Sequence, residues 1–155
     1  MLRLERTDSD SKDFKFLIKF LDEDLAERDG EDHSFYAQFN KVDLIKNVAV
    51  AYSDSTPVGC GAFKFYSEGV AEVKRMYVLP NQRKKGIAGK ILTELEQWAA
   101  ELGFDSCVLE TGKKQPEAIS LYLKCGYTII PNYGQYEGIE NSICMQKKLI
   151  NQSFS

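Results

Sequence analysis

The chain has 155 residues, of which 43% are hydrophobic and 28% are charged, and its formal net charge is −3 at pH 7. This length and composition fit one globular domain with its own core and leave no room for a second full domain. The acidic balance argues against a protein that binds nucleic acid or a membrane surface by bulk charge. We expect a single domain over residues 1–152, followed by a short tail at residues 153–155.

Short apolar runs and scattered cysteines narrow the class of protein further. The longest apolar runs, such as VAVAY, span about five residues, whereas a membrane helix needs roughly twenty. The N-terminal residues do not follow the pattern of a signal peptide. Four cysteines stand far apart in apolar segments, with no C-x-x-C pair: Cys60, Cys107, Cys125 and Cys144. We therefore expect a cytoplasmic protein with reduced core thiols and no metal site.

The N-terminal third of the chain predicts a strand followed by two helices. Leu2 to Thr7 is typical of a short strand. Apolar residues then recur at helical spacing at Phe14, Ile18, Leu21 and Leu25. We expect this helix to be capped by Ser9 or Asp10 and to end near Asp29 and Gly30. A second helix is indicated by Phe35, Phe39, Val42 and either Leu44 or Ile45.

The rest of the chain predicts strands and two further helices. Three antiparallel strands are indicated by the runs NVAVAY, PVGCGAFKFY and GVAEVKRMYVL, which the turn segments SDST and SEG separate. Helical spacing from Gly86 to Leu102 precedes Gly103, a residue suited to a left-handed cap. The segments SCVLET, YTII and SICMQKKL predict strands, and Pro116 to Cys125 predicts a helix.

The predicted order of elements is β-α-α-β-β-β-α-β-α-β-β, which is an α/β domain with a mixed sheet. The helix that begins at Gly86 is long enough to connect two parallel strands. The strands before it are expected to be antiparallel.

The segment QRKKGIAGK, Gln82 to Lys90, places two glycines and four cations at the start of that helix. A helix N-terminus attracts phosphate because it carries partial positive charge and N–H groups without partners. Gly86 and Gly89 allow a ligand to approach the backbone closely. The cations are Arg83, Lys84, Lys85 and Lys90. We expect a pyrophosphate group to bind here, the alternative being a solvated helix start.

Two common phosphate-loop patterns do not fit this segment. The G-x-x-x-x-G-K-[ST] pattern needs glycine where Lys84 stands, and the dinucleotide pattern G-x-G-x-x-G fails at Ala88 and Ile91. The pattern R-x-x-G-x-[GA] does fit, through Arg83, Gly86 and Ala88, directly after a strand that ends in MYVLP.

A second element lies downstream, in the segment QPEAISLYLKCGY from Gln115 to Tyr127. It is similar to the segment N-x-x-A-x-x-L-Y-x-x-x-G-[FY], with Gln115 in place of the usual asparagine. With both elements in this order, the chain resembles the GNAT family of acetyl-CoA-dependent N-acetyltransferases. The resemblance in element order runs from about Leu2 to Leu149, and the specific motifs lie between Val70 and Tyr127.

The resemblance implies transfer of an acetyl group from acetyl-CoA to an amine, without a metal. It also implies that the strand before the basic loop bulges and separates from the strand containing VLET, which makes room for the pantetheine arm. The cofactor contacts that it implies are Met76, Tyr77, Val78, Arg83, Lys84, Lys85, Gly86, Ile87, Ala88, Gly89, Lys90 and Gln115.

Attack of an amine on a thioester needs a base for the amine and a proton for the departing thiolate. A tyrosine suits the second task because its reference pKa lies close to that of a thiol, and the position of Tyr122 in the second motif implies that role. Glu72 is a carboxylate on an otherwise mainly apolar and basic strand, which suits a base. Regular alternation would place Glu72, Lys74, Met76 and Val78 on one face of this strand.

Other interpretations of these two residues stay open. Glu72 is also explained by an ion pair with Lys74 or Arg75, or by a solvated strand position. Tyr122 lies on an apolar helical stripe, so it is also explained as an ordinary core aromatic.

Two functions remain for the whole chain. One is an N-acetyltransferase for a primary amine of a small molecule or a protein, and the other is a non-catalytic acyl-CoA-binding sensor or partner module. Residues 1–40 hold eleven acidic and six basic side chains. Since the first helices commonly line the acceptor site in this family, the excess of acid indicates a cationic acceptor, the alternative being a solvated charged face. Candidates to line the acceptor pocket are His33, Tyr36 and the loop from Pro131 to Gly138, all of which are also explained as ordinary surface. We expect no nucleic-acid or membrane partner, and a homodimer is compatible with the sequence.

Thermal unfolding with acetyl-CoA, CoA, ATP or no ligand tests the predicted cofactor. A ligand at a hundredfold excess over its Kd stabilises the folded state by about 2.7 kcal/mol, which raises the Tm of a chain this size by about 5–10 °C. We expect that rise with acetyl-CoA and CoA but not with ATP. No rise with either CoA species would mean that QRKKGIAGK is only a basic helix start.

Overall fold

The computed structural model describes residues 1–29 and 45–149. Its elements in chain order are β1 (Leu2–Thr7), α1 (Lys12–Asp29), β2 (Asn47–Ser53), β3 (Thr56–Ser67), β4 (Val70–Val78), α2 (Ile87–Glu101), β5 (Ser106–Gly112), α3 (Pro116–Lys124), β6 (Thr128–Ile130) and β7 (Ser142–Lys148). The predicted order is confirmed for these elements. The second helix, predicted from Phe35 onward, lies outside the described residues apart from Ile45, which is not helical. The predicted boundary at residue 152 also lies outside them.

The strands form one mixed sheet of seven strands within the described residues, in the order β1-β2-β3-β4-β5-β7-β6. The pairs from β1 to β4 are antiparallel, as expected. Helix α2 crosses over between β4 and β5, which are parallel neighbours. β7 then pairs antiparallel with both β5 and β6. The predicted α/β fold with a mixed sheet is therefore confirmed.

Helix α1 begins one or two residues later than the predicted caps imply. Its cap is Ser11, whose hydroxyl accepts a hydrogen bond from the Phe14 N–H at 3.2 Å. Ser9, one of the two predicted caps, instead accepts a hydrogen bond from the Ile45 N–H at 3.1 Å. Asp10 donates its own N–H to Asp8. The prediction was wrong because Ser9, Asp10 and Ser11 are all good capping residues, and only the tertiary contact with Ile45 distinguishes them.

The helices bury the two faces of the sheet separately. Helix α1 covers one face, where its apolar residues Phe14, Leu17, Ile18 and Leu21 pack against Val48, Val50, Cys60 and Tyr77. Helices α2 and α3 cover the other face, where Ile87, Ile91, Leu92, Leu95 and Tyr122 pack against Ala49, Val58, Phe63, Val73 and Leu109. None of the helices in the described ranges is both long and apolar enough to cross a membrane.

All four cysteines lie within the described residues, and none of them forms a disulfide. Cys60, Cys107 and Cys144 are buried, and Cys125 is partly buried. Burial raises the pKa of Cys60 and of Cys107 to about 12. These thiols therefore stay protonated near neutral pH and behave as small apolar groups of the core.

Two glycines of β3 let α2 approach the sheet closely. A Cβ atom on Gly61 would lie 2.5 Å from Met76 Sδ and 2.9 Å from Leu95 Cδ1. A Cβ atom on Gly59 would lie 2.9 Å from Ile91 Cδ1. All three distances are too short for packed atoms, so α2 can lie this close to β3 only while these two positions lack side chains.

The regular alternation predicted for β4 is wrong after Lys74. The register between β3 and β4 shifts so that Cys60 pairs with Tyr77 while Ala62 pairs with Lys74, which inserts one extra residue in β4. Arg75, within this bulge, has φ 61°. Met76 and Val78 therefore share the α2 face with Val73 instead of the face of Glu72 and Lys74.

We predict that Gly61→Ala destabilises the fold by about 1–3 kcal/mol, the usual cost of overpacking a core. Gly89→Ala is the matched control, because a Cβ atom on Gly89 would meet nothing within 4 Å. Since alanine favours a helix by up to about 1 kcal/mol over glycine, the control is expected to be neutral or stabilising. Chemical denaturation of both variants measures the difference. Equal effects of the two substitutions would contradict close packing of α2 on β3.

Candidate active site

A cleft opens where β4 and β5 separate. The two strands pair over only three positions, Val70–Glu72 with Ser106–Val108. Beyond them lies a cavity of about 110 Å³. Its walls come from β4, β5, α1 and α3, with the residues Leu21, Leu25, Glu72, Val73, Lys74, Arg75, Met76, Leu109, Glu110, Thr111, Gln115, Ala118, Tyr122 and Tyr136. The separation and the bulge that the resemblance implied are both present.

Arg75 anchors the bulge at the wall of this cleft. Its guanidinium is 3% exposed and donates to Asp22 of α1, with 2.7 Å between Nη1 and Oδ1. The Arg75 carbonyl accepts a hydrogen bond from Cys60 Sγ at 3.5 Å. A left-handed conformation is unfavourable for a residue with a side chain, so these contacts help to hold a strained segment in place.

Glu72 lies at the point of separation and is 2% exposed. This burial excludes the solvated strand position considered for it. Its Oε2 accepts a hydrogen bond from the Tyr133 hydroxyl at 2.7 Å. Lys74, on the same strand, has its pKa lowered by burial and raised in part by the charge of Glu72. The cleft therefore contains a buried carboxylate and, on the same strand, a partly buried ammonium group of opposite charge.

Tyr122 of α3 lies in the core and also lines the cleft. It is 7% exposed, and its ring packs edge-on against Tyr127 with centroids 5.9 Å apart. Burial is the largest of the causes that raise the pKa of its hydroxyl, followed by the neighbouring Cys125 and Glu110. Tyr122 consequently keeps its proton at neutral pH.

The basic glycine loop forms an open helix start. Lys84 has φ 65° and Gly86 has φ 81°, and Gly86 caps α2 without a side-chain hydrogen bond. A Cβ atom on Gly86 or Gly89 would meet nothing within 4 Å. Lys84, Lys85 and Lys90 are exposed, whereas Ile87 is buried and Ala88 partly buried. The first turn of α2 thus presents its backbone and three ammonium groups to solvent.

Arg83 behaves differently from the other cations of the loop. Its Nε donates to the Val78 carbonyl at 2.8 Å, and its Nη2 lies 3.6 Å from Asp24 of α1. The guanidinium also lies over the Tyr77 ring, 5.4 Å from its centroid. Arg83 therefore fastens the loop to the end of β4 and to α1.

A family model for the Acetyltransferase (GNAT) family matches residues 9–127, which is more than half of the chain. The chain belongs to the GNAT acetyltransferase family. An IAA acetyltransferase from Azospirillum brasilense is 39% identical to it over 101 residues, which span 64% of this chain and 66% of that protein. The chain thus spans slightly less than two thirds of the length of this curated relative.

Solved structures show the same fold over nearly the whole chain. A Klebsiella pneumoniae protein provisionally named an acyl-CoA N-acyltransferase has a TM-score of 0.81 at 27% identity, and the match covers 97% of this chain and 99% of that one. The PaiA N-acetyltransferase of Thermoplasma acidophilum, crystallised with coenzyme A, has a TM-score of 0.71 at 21% identity, covering 96% of this chain and 99% of that one.

Within this GNAT fold, the structure divides the predicted site residues between two places. Glu72, Met76, Gln115 and Tyr122 line the cleft, while residues 83–90 form the loop and the first turn of α2. Strand β4 links the two places, because the loop follows its C-terminal end through the turn Pro80–Gln82. Tyr77 packs on the α1 side of the sheet and Val78 on the α2 side.

Several residues that line the cleft were missed or only partly anticipated from the sequence. Glu110 of β5 was missed, although it is a carboxylate in a mainly apolar strand, the signal that singled out Glu72. Tyr133 and Tyr136 lie in the loop that was expected to line the acceptor pocket. Tyr136 lines the cleft, and Tyr133 contacts Glu72. The other two candidates for that pocket, His33 and Tyr36, lie outside the described residues.

Proposed function

We propose that this protein is an N-acetyltransferase that transfers an acetyl group from acetyl-CoA directly to a primary amine of a small molecule or a protein. The observation that carries the proposal is the placement of Glu72 and Tyr122 in one cleft, at the point where β4 leaves β5. A buried carboxylate and a buried hydroxyl are the groups that acetyl transfer to an amine needs. The Thermoplasma acidophilum relative, which has the same fold and was crystallised with coenzyme A, supports the choice of donor.

The residues present fit acetyl-CoA. The start of α2 has no side-chain cap, and its two glycines face open space. Exposed N–H groups at a helix N-terminus, together with Lys84, Lys85 and Lys90, are suited to bind phosphate groups. Beyond Glu72, β4 has no partner in β5, which leaves one edge of β4 for the polar groups of a pantetheine arm. These residues, with Gln115 at the start of α3, are the proposed cofactor contacts.

The proposed chemistry assigns one proton to each of two side chains. When bound, acetyl-CoA supplies the acetyl group as a thioester. Glu72 takes a proton from the acceptor ammonium group, because only a neutral amine is a nucleophile. Tyr122 holds a proton at its hydroxyl for the departing thiolate. Apolar cleft walls from Leu21, Leu25 and Leu109 exclude water and strengthen the interactions of both groups with charge.

We predict that Glu72→Gln and Tyr122→Phe each lower kcat by about 10²–10⁴-fold, the usual contribution of a general base or acid. The measurement is release of free thiol from acetyl-CoA with a panel of primary amines, and calorimetry shows whether acetyl-CoA still binds. Two variants outside the cleft serve as controls: Glu68→Gln in the β3–β4 turn, and Tyr52→Phe, which loses a hydrogen bond to Asp13.

Two outcomes would contradict this assignment in different ways. Unchanged transfer by both cleft variants would mean that other residues carry the protons. Tight binding of acetyl-CoA without transfer to any amine would favour the non-catalytic acyl-CoA-binding module.

We further predict that Gly89→Ala weakens acetyl-CoA binding by about tenfold, or about 1.4 kcal/mol, without destabilising the fold. The added methyl group would occupy the open space beside the first turn of α2, where the phosphates are proposed to approach the backbone. Calorimetric titration measures the affinity, and denaturation of the same sample measures stability. Unchanged affinity would place the phosphates elsewhere.

A further inference from the structure

The loop between β6 and β7 contacts Glu72 directly. The Tyr133 hydroxyl donates to Glu72 Oε2 at 2.7 Å, across 61 positions of sequence. The neighbouring Tyr136 is 2% exposed and lines the cleft, with its hydroxyl 3.5 Å from Lys74 Nζ. The loop therefore places Tyr136 at the wall of the cleft and Tyr133 in a hydrogen bond with the proposed base.

The loop is built to keep Tyr133 in one place. Asn132 Nδ2 donates to the carbonyls of Tyr136 at 3.1 Å and Ile139 at 2.9 Å. The Tyr136 N–H donates to the Tyr133 carbonyl at 2.9 Å, which closes a short turn. Asparagine side-chain bonds of this kind fix the backbone of a loop. The position of the Tyr133 hydroxyl is thus set by the loop itself and not by the contact with Glu72 alone.

Aromatic packing from the sheet supports the same ring. Tyr66 of β3 packs edge-on against Tyr133, with ring centroids 4.9 Å apart. Tyr136 also packs edge-on against Tyr133, with ring centroids 5.7 Å apart. Gly134, with φ 53°, allows this approach because a Cβ atom there would lie 3.0 Å from the Tyr66 hydroxyl oxygen. With two rings packed edge-on against it, the Tyr133 ring has little freedom to turn away.

The Tyr133 hydroxyl remains a donor throughout the neutral range. Burial, and then the charge of Glu72, raises its pKa well above the usual value for tyrosine. The hydrogen bond to Oε2 therefore limits the orientations that the Glu72 carboxylate adopts at the wall of the cleft.

We propose that Tyr133 is a positioning residue that orients Glu72 for deprotonation of the acceptor. This inference rests on the proposed N-acetyltransferase function. Other polar and charged groups also lie near Glu72, so the test must separate Tyr133 from them. Those groups, from every element around Glu72, are Lys64 of β3, Lys74 and Arg75 of β4, Glu110 of β5, Cys144 of β7 and Tyr136 of the loop.

Tyr133→Phe is the test, because it removes the hydroxyl and keeps the ring. Without the donated hydrogen bond, the Glu72 carboxylate is no longer fixed in the orientation that proton transfer needs. We expect kcat to fall by about tenfold or more, the effect of losing a hydrogen bond to a charged group. KM for the acceptor and the affinity for acetyl-CoA should stay unchanged, a split that a general loss of structure would not produce.

Tyr66→Phe is the matched control. It makes the same chemical change on the adjacent ring, whose hydroxyl lies beside Gly134, and its kcat should match that of the wild type. In a Glu72→Gln background, Tyr133→Phe should cause no further loss, because its effect acts through Glu72.

A second readout needs neither acetyl-CoA nor an acceptor. In carboxyl-carbon NMR of the ligand-free protein at one neutral pH, the Glu72 signal, assigned by its loss in Glu72→Gln, should change its chemical shift in Tyr133→Phe and keep it in Tyr66→Phe. An unmoved Glu72 signal, an unchanged kcat or independent losses in the double variant would each overturn the proposal. Absence of transfer by the wild-type protein would instead overturn the proposed function, and with it the catalytic role of Tyr133.

Discussion

Beyond Glu72, β4 loses its partner on the β5 side, and the rest of the site depends on this loss. Three paired positions join the two parallel strands, after which the extra residue in β4 turns the chain and the cleft opens. A bulge redirects a strand at the cost of local backbone strain. Here Arg75 takes the strained conformation, and its contacts with Asp22 and Cys60 oppose a return to regular pairing. The same departure buries Glu72, exposes an edge of backbone and directs β4 toward the glycine loop.

The open start of α2 is compatible with a stable helix because the helix is held from its buried side. Ile87, in its first turn, is buried, and Ile91 and Leu95 pack over the two glycines of β3. An uncapped helix end lacks hydrogen-bond partners for several N–H groups. Apolar packing further along the helix supplies stability that the end itself does not provide. The loop can thus remain open to a ligand without weakening the contact between α2 and the sheet.

Local patterns in the sequence were sufficient to predict the order of the elements. They did not predict the contacts between residues that are far apart in the sequence. Strand alternation and helical spacing predicted β2 to β5, α2 and α3, because each depends on neighbouring residues. The motifs that contain Arg83 and Tyr122 indicated the family. They also indicated two parts of the candidate site, the basic glycine loop and helix α3. The face of Met76 was predicted wrongly, since a bulge adds a residue without changing the apolar pattern. The contact between Tyr133 and Glu72 joins segments that only the folded sheet brings together.

Helix α1 is joined to both parts of the site through charge. Asp22 pairs with Arg75 at the bulge, and Asp24 lies near Arg83 of the loop. Both carboxylates are partly exposed, at 51% and 37%, so dissolved ions compete with these pairs over a screening distance of about 8 Å at physiological salt. The packing of Phe14, Leu17 and Ile18 against the sheet is apolar, and salt does not screen it. Ionic strength therefore acts on the links from α1 to the bulge and the loop, and it leaves the attachment of α1 to the sheet in place.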